Sequence, residues 1–339
     1  MKYLFLFTIL IFVFKTIEAQ TSRIALVKPN GVTTIHTTLQ SAYDAASNDD
    51  YIYLPGGTFD GITIAKKLHI IGAGSNIDSS QYTGITKIPS LDIDSLGGGG
   101  SIEGIYFTNG GCTPSINFVS SNNISGYLIK GCYLKGGIQF TNWQNVVICK
   151  NYLGLHQCGN YGGHESISGE LSNSFIKNNI VMGNIQGIGN CVINNNILFF
   201  NFYNGYGAFM MTNSIFNNNI FKEVQFQTWN SIFNNNTNSF IYQNNTNSEY
   251  NTITETFNEV FENPGAAPYS YDVHNNYHIK STSACNNSGT DGRDRGIYGG
   301  SSPWIEGSIP SNPHIYFKNV ADETNASGQL QIHFKVRTN

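Results

Sequence analysis

Apolar and polar residues through the middle of this chain follow a six-residue unit that recurs at irregular intervals. The unit has apolar residues at its first and last positions and asparagine at its fourth, as at 148–153, 176–181, 193–198 and 216–221. At 129–134 Cys132 takes the asparagine position, and at 233–238 Asn238 takes the last apolar position. At 102–107 the apolar positions remain without the asparagine.

The spacing of these units predicts parallel β-strands wound into a coil. Their first residues fall at 102, 129, 148, 176, 193, 216 and 233, so they lie 17 to 28 residues apart. They lack the 3.6-residue period of helices and are rich in β-branched and aromatic residues, as strands are. Parallel strands need a long connection, and a coil stacked on the previous coil supplies one. We therefore expect an all-β solenoid with strands about 4.8 Å apart.

The repeated asparagines predict a ladder of stacked amides. The heptapeptide NSIFNNN occurs at Asn213–Asn219 and again at Asn230–Asn236. Its first apolar residue should point into the coil, together with the small residue two positions earlier. The fourth-position asparagine should lie at a bend, because asparagine tolerates left-handed backbone angles. Stacked in register, such amides can hydrogen-bond to those above and below.

The two ends of the chain carry different patterns. Leu39, Ala42, Tyr43 and Ala46 have helical spacing, which predicts an amphipathic helix that caps the first coil. Near the other end, 314–318 and 329–336 alternate as two antiparallel strands around a turn at 324–328. We expect these strands to form a small C-terminal β module that occupies residues 301–339.

Several segments resemble the right-handed parallel β-helix proteins of the pectate lyase (pectin lyase-like) superfamily. The segment DDYIYLPGGTFDGITIAKKLHIIGAGS is similar to their first coils, and YHIKSTSACNNSGTDGRDRGIYGG is similar to the segment that closes many such domains. The resemblance covers residues 20–300 and implies a single-stranded, right-handed coil. The final 35 or so residues are similar to C-terminal tails on secreted proteins of Bacteroidetes-type bacteria.

The first 19 residues have the pattern of a signal peptide. Lys2 precedes an apolar run at 3–14, and Ile17-Glu18-Ala19 resembles a cleavage site. A membrane anchor is the alternative, although the run is short for spanning a bilayer. No later stretch is long and apolar enough to cross a membrane. The sequence therefore predicts a secreted protein, either extracellular or periplasmic.

Composition narrows the classes of function. Only 12% of the residues are charged and the net charge is −4, which argues against a nucleic-acid partner. The cysteines have no disulfide-framework spacing and no CxxC pair for zinc, so most are expected to be buried thiols. They are Cys112, Cys132, Cys149, Cys158, Cys191 and Cys285. We expect a monomer with no cofactor and no metal.

The sequence lacks the catalytic patterns that are typical of the pectate lyase superfamily. Its lyases hold calcium with clustered acids beside an arginine or lysine base, and calcium needs several oxygen ligands. Between 101 and 250 there is no arginine, and the only acids are Glu103, Glu165, Glu170, Glu223 and Glu249. Its polygalacturonases use several aspartates with a Gly-His-Gly motif, whereas this chain has Gly163-His164-Glu165 without that cluster.

Two segments remain as candidate sites. The 28-residue gap contains Tyr152–Ser172, expected to be a loop, in which His156, His164, Glu165 and Glu170 could act as acid and base or hold a metal. A solvated surface loop is the alternative. In the aromatic run 197–211, Tyr203 and Tyr206 could stack on sugar rings, or could simply cover a loop beside core phenylalanines.

A third segment, GTDGRDRG at 289–296, pairs two aspartates with two arginines. A calcium loop would need more acids at alternate positions, so a local turn with ion pairs is favoured.

Two classes of function stay open. The first is a non-catalytic exported β-helix that binds surfaces or glycans, such as a polysaccharide or a cell-surface glycan. The second is a divergent polysaccharide lyase or glycoside hydrolase that acts through 152–172. The sequence leaves open whether the protein is an enzyme, because one scaffold hosts many activities.

Overall fold

The computed structural model describes residues 23–76, 82–119, 124–157, 164–199, 209–241, 247–267, 271–310 and 313–337. Most of these residues lie in short strands, and the chain is all-β as predicted. The predicted signal peptide at 1–19 lies outside the described residues. Within the described part, the two helices are far too short to cross a bilayer.

The elements in chain order begin with β1 (Ile24–Val27), β2 (Thr33–His36), α1 (Leu39–Ala45), β3 (Tyr51–Tyr53), β4 (Gly57–Thr58), β5 (Thr63–Ile64), β6 (His69–Ile71), β7 (Thr86–Ile88), β8 (Leu91–Asp94), β9 (Ser101–Glu103) and β10 (Tyr106–Phe107). There follow β11 (Ile116–Val119), β12 (Ile124–Lys130), β13 (Tyr133–Leu134), β14 (Ile138–Cys149), β15 (Tyr152–Leu153), β16 (His156–Gln157), β17 (His164–Ser172), β18 (Phe175–Lys177), β19 (Ile180–Val181), β20 (Asn184–Gly189) and β21 (Val192–Asn194). The last are β22 (Ile197–Leu198), β23 (Phe209–Thr212), β24 (Ile215–Asn217), β25 (Ile220–Trp229), β26 (Ile232–Asn234), β27 (Thr237–Ile241), β28 (Ser248–Tyr250), α2 (Phe257–Val260), β29 (Phe261–Asn263), β30 (Asn276–Ile279), β31 (His314–Thr324) and β32 (Leu330–Arg337).

The strands stack into three long parallel rows, because the chain returns to each row once per coil. The first row is β3, β6, β9, β12, β14, β18, β21, β24, β26 and β28. The second is β4, β7, β10, β13, β15, β19, β22, β25 and β27. The third is β5, β8, β11, β14, β17, β20, β23 and β25. This arrangement is compatible with a parallel β-helix.

The register within the first row matches the alignment made from the sequence. The predicted first apolar residues are direct Cα partners from coil to coil, and each is fully buried: Ile102, Ile129, Ile148, Ile176, Ile193, Phe216 and Phe233. The sixth-position residues pair in the same way along the second row and are also buried. The prediction of parallel, stacked strands is therefore confirmed.

Behind the first row, five asparagines form a continuous buried line, here called the asparagine row: Asn151, Asn179, Asn196, Asn219 and Asn236. The Nδ2 of each of the first four donates to the Oδ1 of the next member at 2.9–3.1 Å. Each Oδ1 also accepts the backbone N–H of the coil before it, as Asn219 Oδ1 does from Asn196 at 3.0 Å. The second Nδ2 hydrogen binds a carbonyl, which for Asn219 is Ile193 at 2.8 Å. These amides are thus satisfied without water.

The left-handed backbone angle falls one residue earlier than the sequence suggested. The asparagines of the row itself have ordinary angles, whereas the preceding residue has a φ of +51° to +58°: Lys150, Asn178, Asn195, Asn218 and Asn235. The reason is geometric. The left-handed residue turns the chain so that the next side chain points inward, where it can reach the neighbouring coil. In each NNN triplet, the second asparagine makes the bend and the third makes the buried bonds.

The small inward residues form a shorter line of hydrogen bonds. Ser174 Oγ accepts from the backbone N of Val146 at 2.9 Å, and Ser231 Oγ accepts from the backbone N of Ser214 at 3.1 Å. Each of these two serines is preceded by a left-handed asparagine, Asn173 with a φ of +50° and Asn230 with a φ of +54°. The heptapeptide NSIFNNN therefore encodes two bends, each followed by a buried polar residue that bonds to the next coil.

The N-terminal and C-terminal parts of the chain carry additional elements. Helix α1 lies where helical spacing predicted it, with Leu39 and Ala42 buried and Thr38 Oγ1 accepting from the N–H of Ser41. Near the C-terminus, β31 and β32 pair antiparallel, as predicted, although β31 extends to Thr324. Residues 253–310 lie between the coil and this hairpin and are called the return segment.

The NNN triplet at 217–219 offers a direct test. Asn219→Ala should lower the free energy of unfolding by about 3 kcal/mol or more, because it leaves several buried groups without partners. Asn218→Ala should cost about 2 kcal/mol, because it strains the left-handed backbone and removes two hydrogen bonds with Thr290. Asn218→Gly should cost less, because glycine removes the backbone strain and loses only the hydrogen bonds. Asn217→Ala, at a half-exposed outward position, should change stability by about 0.5 kcal/mol or less. Urea denaturation measures all four, and equal effects across the triplet would contradict the division of roles.

Candidate functional site

The return segment covers the outward face of the second row. Ile180, Ile197 and Ile220 point away from the coil interior, yet each is at most 1% exposed. They pack in a second apolar core with residues of the return segment, which include Phe257, Phe261, Tyr277, Ile297 and Trp304. Covering such a stripe removes apolar surface from water, so the hydrophobic effect holds the segment in place.

The left-handed asparagines provide a polar track for the same segment. Asn235 Nδ2 donates to the carbonyl of Ser288 at 3.1 Å. Asn218 exchanges two hydrogen bonds with Thr290, and Asn178 Nδ2 donates to the carbonyls of Ile297 and Gly299, both at 2.9 Å. The segment therefore runs back along the coil, from its C-terminal end toward its N-terminal end.

Arg295 anchors the start of this path. It is only 3% exposed, and its guanidinium donates to the carbonyls of Asn236 and Asn251 and to Ser288 Oγ. The sequence predicted a local turn with ion pairs here. Arg293 does lie 4.0 Å from Asp291, but Arg295 instead binds backbone of the coil. Its N–H groups satisfy carbonyls at the end of the asparagine row.

In the three coils before Ile180, the same outward position of the second row is occupied by stacked tyrosines, here called the tyrosine row. The ring centroids of Tyr106 and Tyr133 lie 4.6 Å apart, and those of Tyr133 and Tyr152 lie 4.2 Å apart, with nearly parallel planes. Tyr271 of the return segment packs on Tyr152 at 4.8 Å. The one-coil register of β10, β13 and β15 sets this spacing, since each tyrosine is the direct partner of the next.

A cavity of about 340 Å³ opens where the return segment separates from the tyrosine row. We call it the tyrosine groove. Tyr106, Tyr133 and Tyr152 form one wall, and Tyr271, Val273 and Trp304 form the other. Ser75, Asn76, Thr108 and Ser308 add hydroxyl and amide groups to its lining. The size and the mixed apolar and polar lining are typical of small-molecule sites.

The groove is nearly free of charge. Lys87, the register partner of Tyr106 in the preceding coil, is the only charged side chain among the described residues that line it. Burial is the largest cause that raises the pKa of Tyr133, Tyr152 and Tyr271 above the ordinary tyrosine value. The neighbouring Tyr133 raises the pKa of Tyr152 further. These hydroxyls remain protonated and offer both donors and acceptors.

The predicted acid–base segment is placed differently from the expectation of a loop. Its second half, β17, is a strand of the third row, because Ile167 and Leu171 are buried in the coil interior. Strand β16 pairs antiparallel with β17, which sets His156 opposite Glu165 and Gln157 opposite His164 along the backbone. Ser166 anchors this pair of strands by donating to the carbonyls of Leu153 and Gly154.

The structure describes only some of the side chains of this segment. Glu165 is half-buried and Glu170 is exposed, while the side chains of His156 and His164 lie outside the described residues. The acid–base hypothesis for these four residues therefore stays a prediction. Tyr203 and Tyr206 also lie outside the described residues. Across the described part of the chain, no three histidine, cysteine, aspartate or glutamate side chains gather as metal ligands. Cys132, Cys149, Cys191 and Cys285 are buried thiols, as predicted for most cysteines.

Sequence reasoning missed the tyrosine groove. Tyr106, Tyr133 and Tyr152 occupy the fifth position of the repeat, directly before the inward apolar residue. That signal was present, because three successive coils share tyrosine at one outward position. The opposite wall was not predictable, since it comes from residues more than 100 positions later in the chain.

No protein-family model matches this sequence, and a comparison with curated proteins finds no significant match.

The tyrosine row makes stability sensitive to alkaline pH. A tyrosine with a raised pKa stays neutral when folded, whereas the unfolded chain ionises near pH 10. The stabilisation is complete below that value and is lost as pH rises toward the folded pKa. Tyr152→Phe should therefore weaken the loss of stability between about pH 10 and about pH 12. Urea midpoints measured across this range test it, with Tyr250→Phe at an exposed position as the control. The same pH dependence in both variants and the parent would contradict it.

Proposed function

We propose that the chain is a right-handed parallel β-helix related to the pectate lyase superfamily. In this proposal the asparagine row is the predicted asparagine ladder, and α1 caps the first coil. Support comes from the parallel register of the three rows and from the amide hydrogen bonds of the asparagine row. Helix α1 packs against β1 and β2 at the start of the coil.

We further propose that the protein binds glycans without cleaving them and that the tyrosine groove is the binding site. The observation that carries this proposal is the groove itself, with stacked tyrosines and Trp304 beside hydroxyl and amide groups. Sugars have apolar C–H faces and polar hydroxyl edges, so aromatic bodies with polar margins complement them. The protein is expected to act after export, as a monomer outside the cytoplasm.

The geometry suggests how one sugar would sit. Tyr133 is covered on both faces by its neighbours, so its edge and hydroxyl point to the groove. One face of the Tyr106 ring stacks on Tyr133. In the coil on the other side of Tyr106, Lys87 holds the same position. A sugar ring would therefore contact Tyr106 and Trp304 through its C–H face, while the hydroxyls of Tyr133 and Ser308 bind its edge.

Removal of the groove's aromatic surface tests the binding site. Tyr106→Ala and Trp304→Ala should each weaken glycan binding about tenfold, because each removes a large apolar contact. Tyr250→Ala is the matched control, since Tyr250 is 56% exposed and lies on the first row. Glycan-array screening followed by calorimetry on the best ligand gives the affinities. Equal losses in all three variants, or no glycan bound at all, would refute the proposed site.

The alternative function is cleavage of a polysaccharide through 152–172. One observation favours it: β16 and β17 bring His156 and Glu165 to paired backbone positions. A glycosidase needs two carboxylates, and a lyase needs a base near the acidic sugar.

If the protein only binds, no reducing ends or unsaturated products should form from acidic or neutral polysaccharides, with or without calcium. The parent protein, Glu165→Gln and His164→Ala should then give the same background. Turnover by the parent that either substitution abolishes would establish the enzyme and overturn the non-catalytic proposal.

A further inference from the structure

The tyrosine groove is closed at one of its two ends. Its floor follows the second row from Tyr106 to Tyr152, and the next residue in that register is Ile180. Ile180 is 1% exposed, because the return segment packs over it. At the same boundary the ring of Tyr271 packs on Tyr152, with 4.8 Å between the ring centroids. A ligand on the floor of the groove therefore cannot extend past Tyr152.

The side of the groove that faces the first row is closed as well. Residues 308–310 run over the bends between the first and second rows, where Gly104 and Gly131 have φ of +67° and +61°. A Cβ on Gly104 would overlap the Pro310 ring, so this stretch contacts the backbone of the coil directly. Ser75 Oγ also donates to the carbonyl of Gly131 at 2.9 Å. The chain lies too close to the coil here for a sugar ring to pass between them.

The two opposite sides are open and form one mouth. Past Lys87, the register partner of Tyr106, the second row continues to Thr58, which is exposed. Thr108 lines the groove on the side that leads to the third row and is also exposed, and Val273 is 42% exposed. A ligand therefore enters and leaves through the same mouth.

The size of the groove limits how much of a glycan it can hold. Its volume of about 340 Å³ is near the lower limit for small-molecule sites, so it accommodates about one or two sugar rings. A chain that is bound by an internal sugar must continue in two directions from that sugar. With the Tyr152 end and the first-row side blocked, only one continuation has a way out. Walls that exclude a competing ligand are a common source of specificity.

We propose that the tyrosine groove recognises the end of a glycan chain and rejects internal sugars. This inference rests on the proposed function, since it requires that the groove bind sugar. The terminal ring lies on Tyr106 and against Trp304, with its unlinked side toward Tyr152. The rest of the chain leaves through the mouth beside Lys87. A reducing end and a non-reducing end share this shape, and the experiment below distinguishes them.

Calorimetry on the full chain with soluble oligosaccharides tests this. The probes are β-1,4-linked glucose, β-1,4-linked N-acetylglucosamine and the best motif from the glycan array, each from one to six units. Because only the end of the chain is bound, the affinity per chain should change by less than about twofold between the trimer and the hexamer. An affinity that rises steadily to the hexamer would overturn end recognition and leave glycan binding intact. Absence of binding by every probe and array glycan would refute the proposed function itself, and the inference with it.

Modified hexamers identify which end is bound. One form carries an unlike sugar on its non-reducing end, and the other has its reducing ring opened by borohydride. Binding should fall at least about tenfold for one of the two forms, because an added or opened ring no longer fits the closed part of the groove. Loss with the first form identifies the non-reducing end, and loss with the second identifies the reducing end. Equal binding of the parent hexamer and both modified forms would overturn the proposal.

Tyr271→Ala should relax this discrimination, because it removes the ring that closes the groove over Tyr152. The loss caused by the discriminating modification should fall from at least about tenfold to about threefold or less. Val273→Ala is the matched control on the same segment, and it should keep the full loss because Val273 lies on the open side. Urea denaturation checks that both variants fold, and the length series on the parent remains decisive if Tyr271→Ala does not. Equal discrimination by the two folded variants would contradict closure by Tyr271.

Discussion

The structure depends on one constraint: a polar backbone bend must be buried once in every coil, and its groups must find partners without water. The asparagine row meets this constraint because an amide has two donor hydrogens and two acceptor lone pairs. Asn179, Asn196 and Asn219 use all four, bonding to the coil before and the coil after. A hydroxyl or a thiol offers fewer bonds. Cys132 occupies the same position in the coil before Asn151, and there the row stops. Its backbone N–H donates to Asn151 Oδ1, but its thiol does not extend the line of amides.

The same constraint explains why asparagine occurs in triplets. The bend needs a left-handed residue, and the position after it needs an inward amide. Asparagine serves both purposes for different reasons: its short polar side chain tolerates positive φ, and its amide fills the row. The left-handed member also faces outward, where its amide remains available. Asn178, Asn218 and Asn235 use that amide to bind the return segment. One repeated residue thus holds the coils together and fixes the chain that folds back over them.

Much of the fold was predictable from local pattern. The inward apolar positions gave the register from Ile102 to Phe233 without error, because a one-residue slip would expose every one of them. The position of the left-handed angle was not predictable, since adjacent asparagines look alike in sequence and only the side-chain direction separates their roles. The loop expected at 152–172 was wrong for β17, where Ile167 and Leu171 had the alternation of an inward strand. The tyrosine groove also escaped prediction, because it has one wall from the repeat and one from residues far along the chain.

The origin of this groove indicates which part of such a molecule can enclose a small ligand. A regular coil presents flat faces, in which every outward side chain has an equivalent neighbour one coil away, and a flat face encloses little of a small ligand. Concavity arises only where irregular chain stands against the coil. The return segment creates the tyrosine groove where it leaves the second row. The asparagines that position the return segment therefore bear on binding as well as on stability, since a shift of that segment would move Trp304 and Tyr271 relative to the tyrosine row.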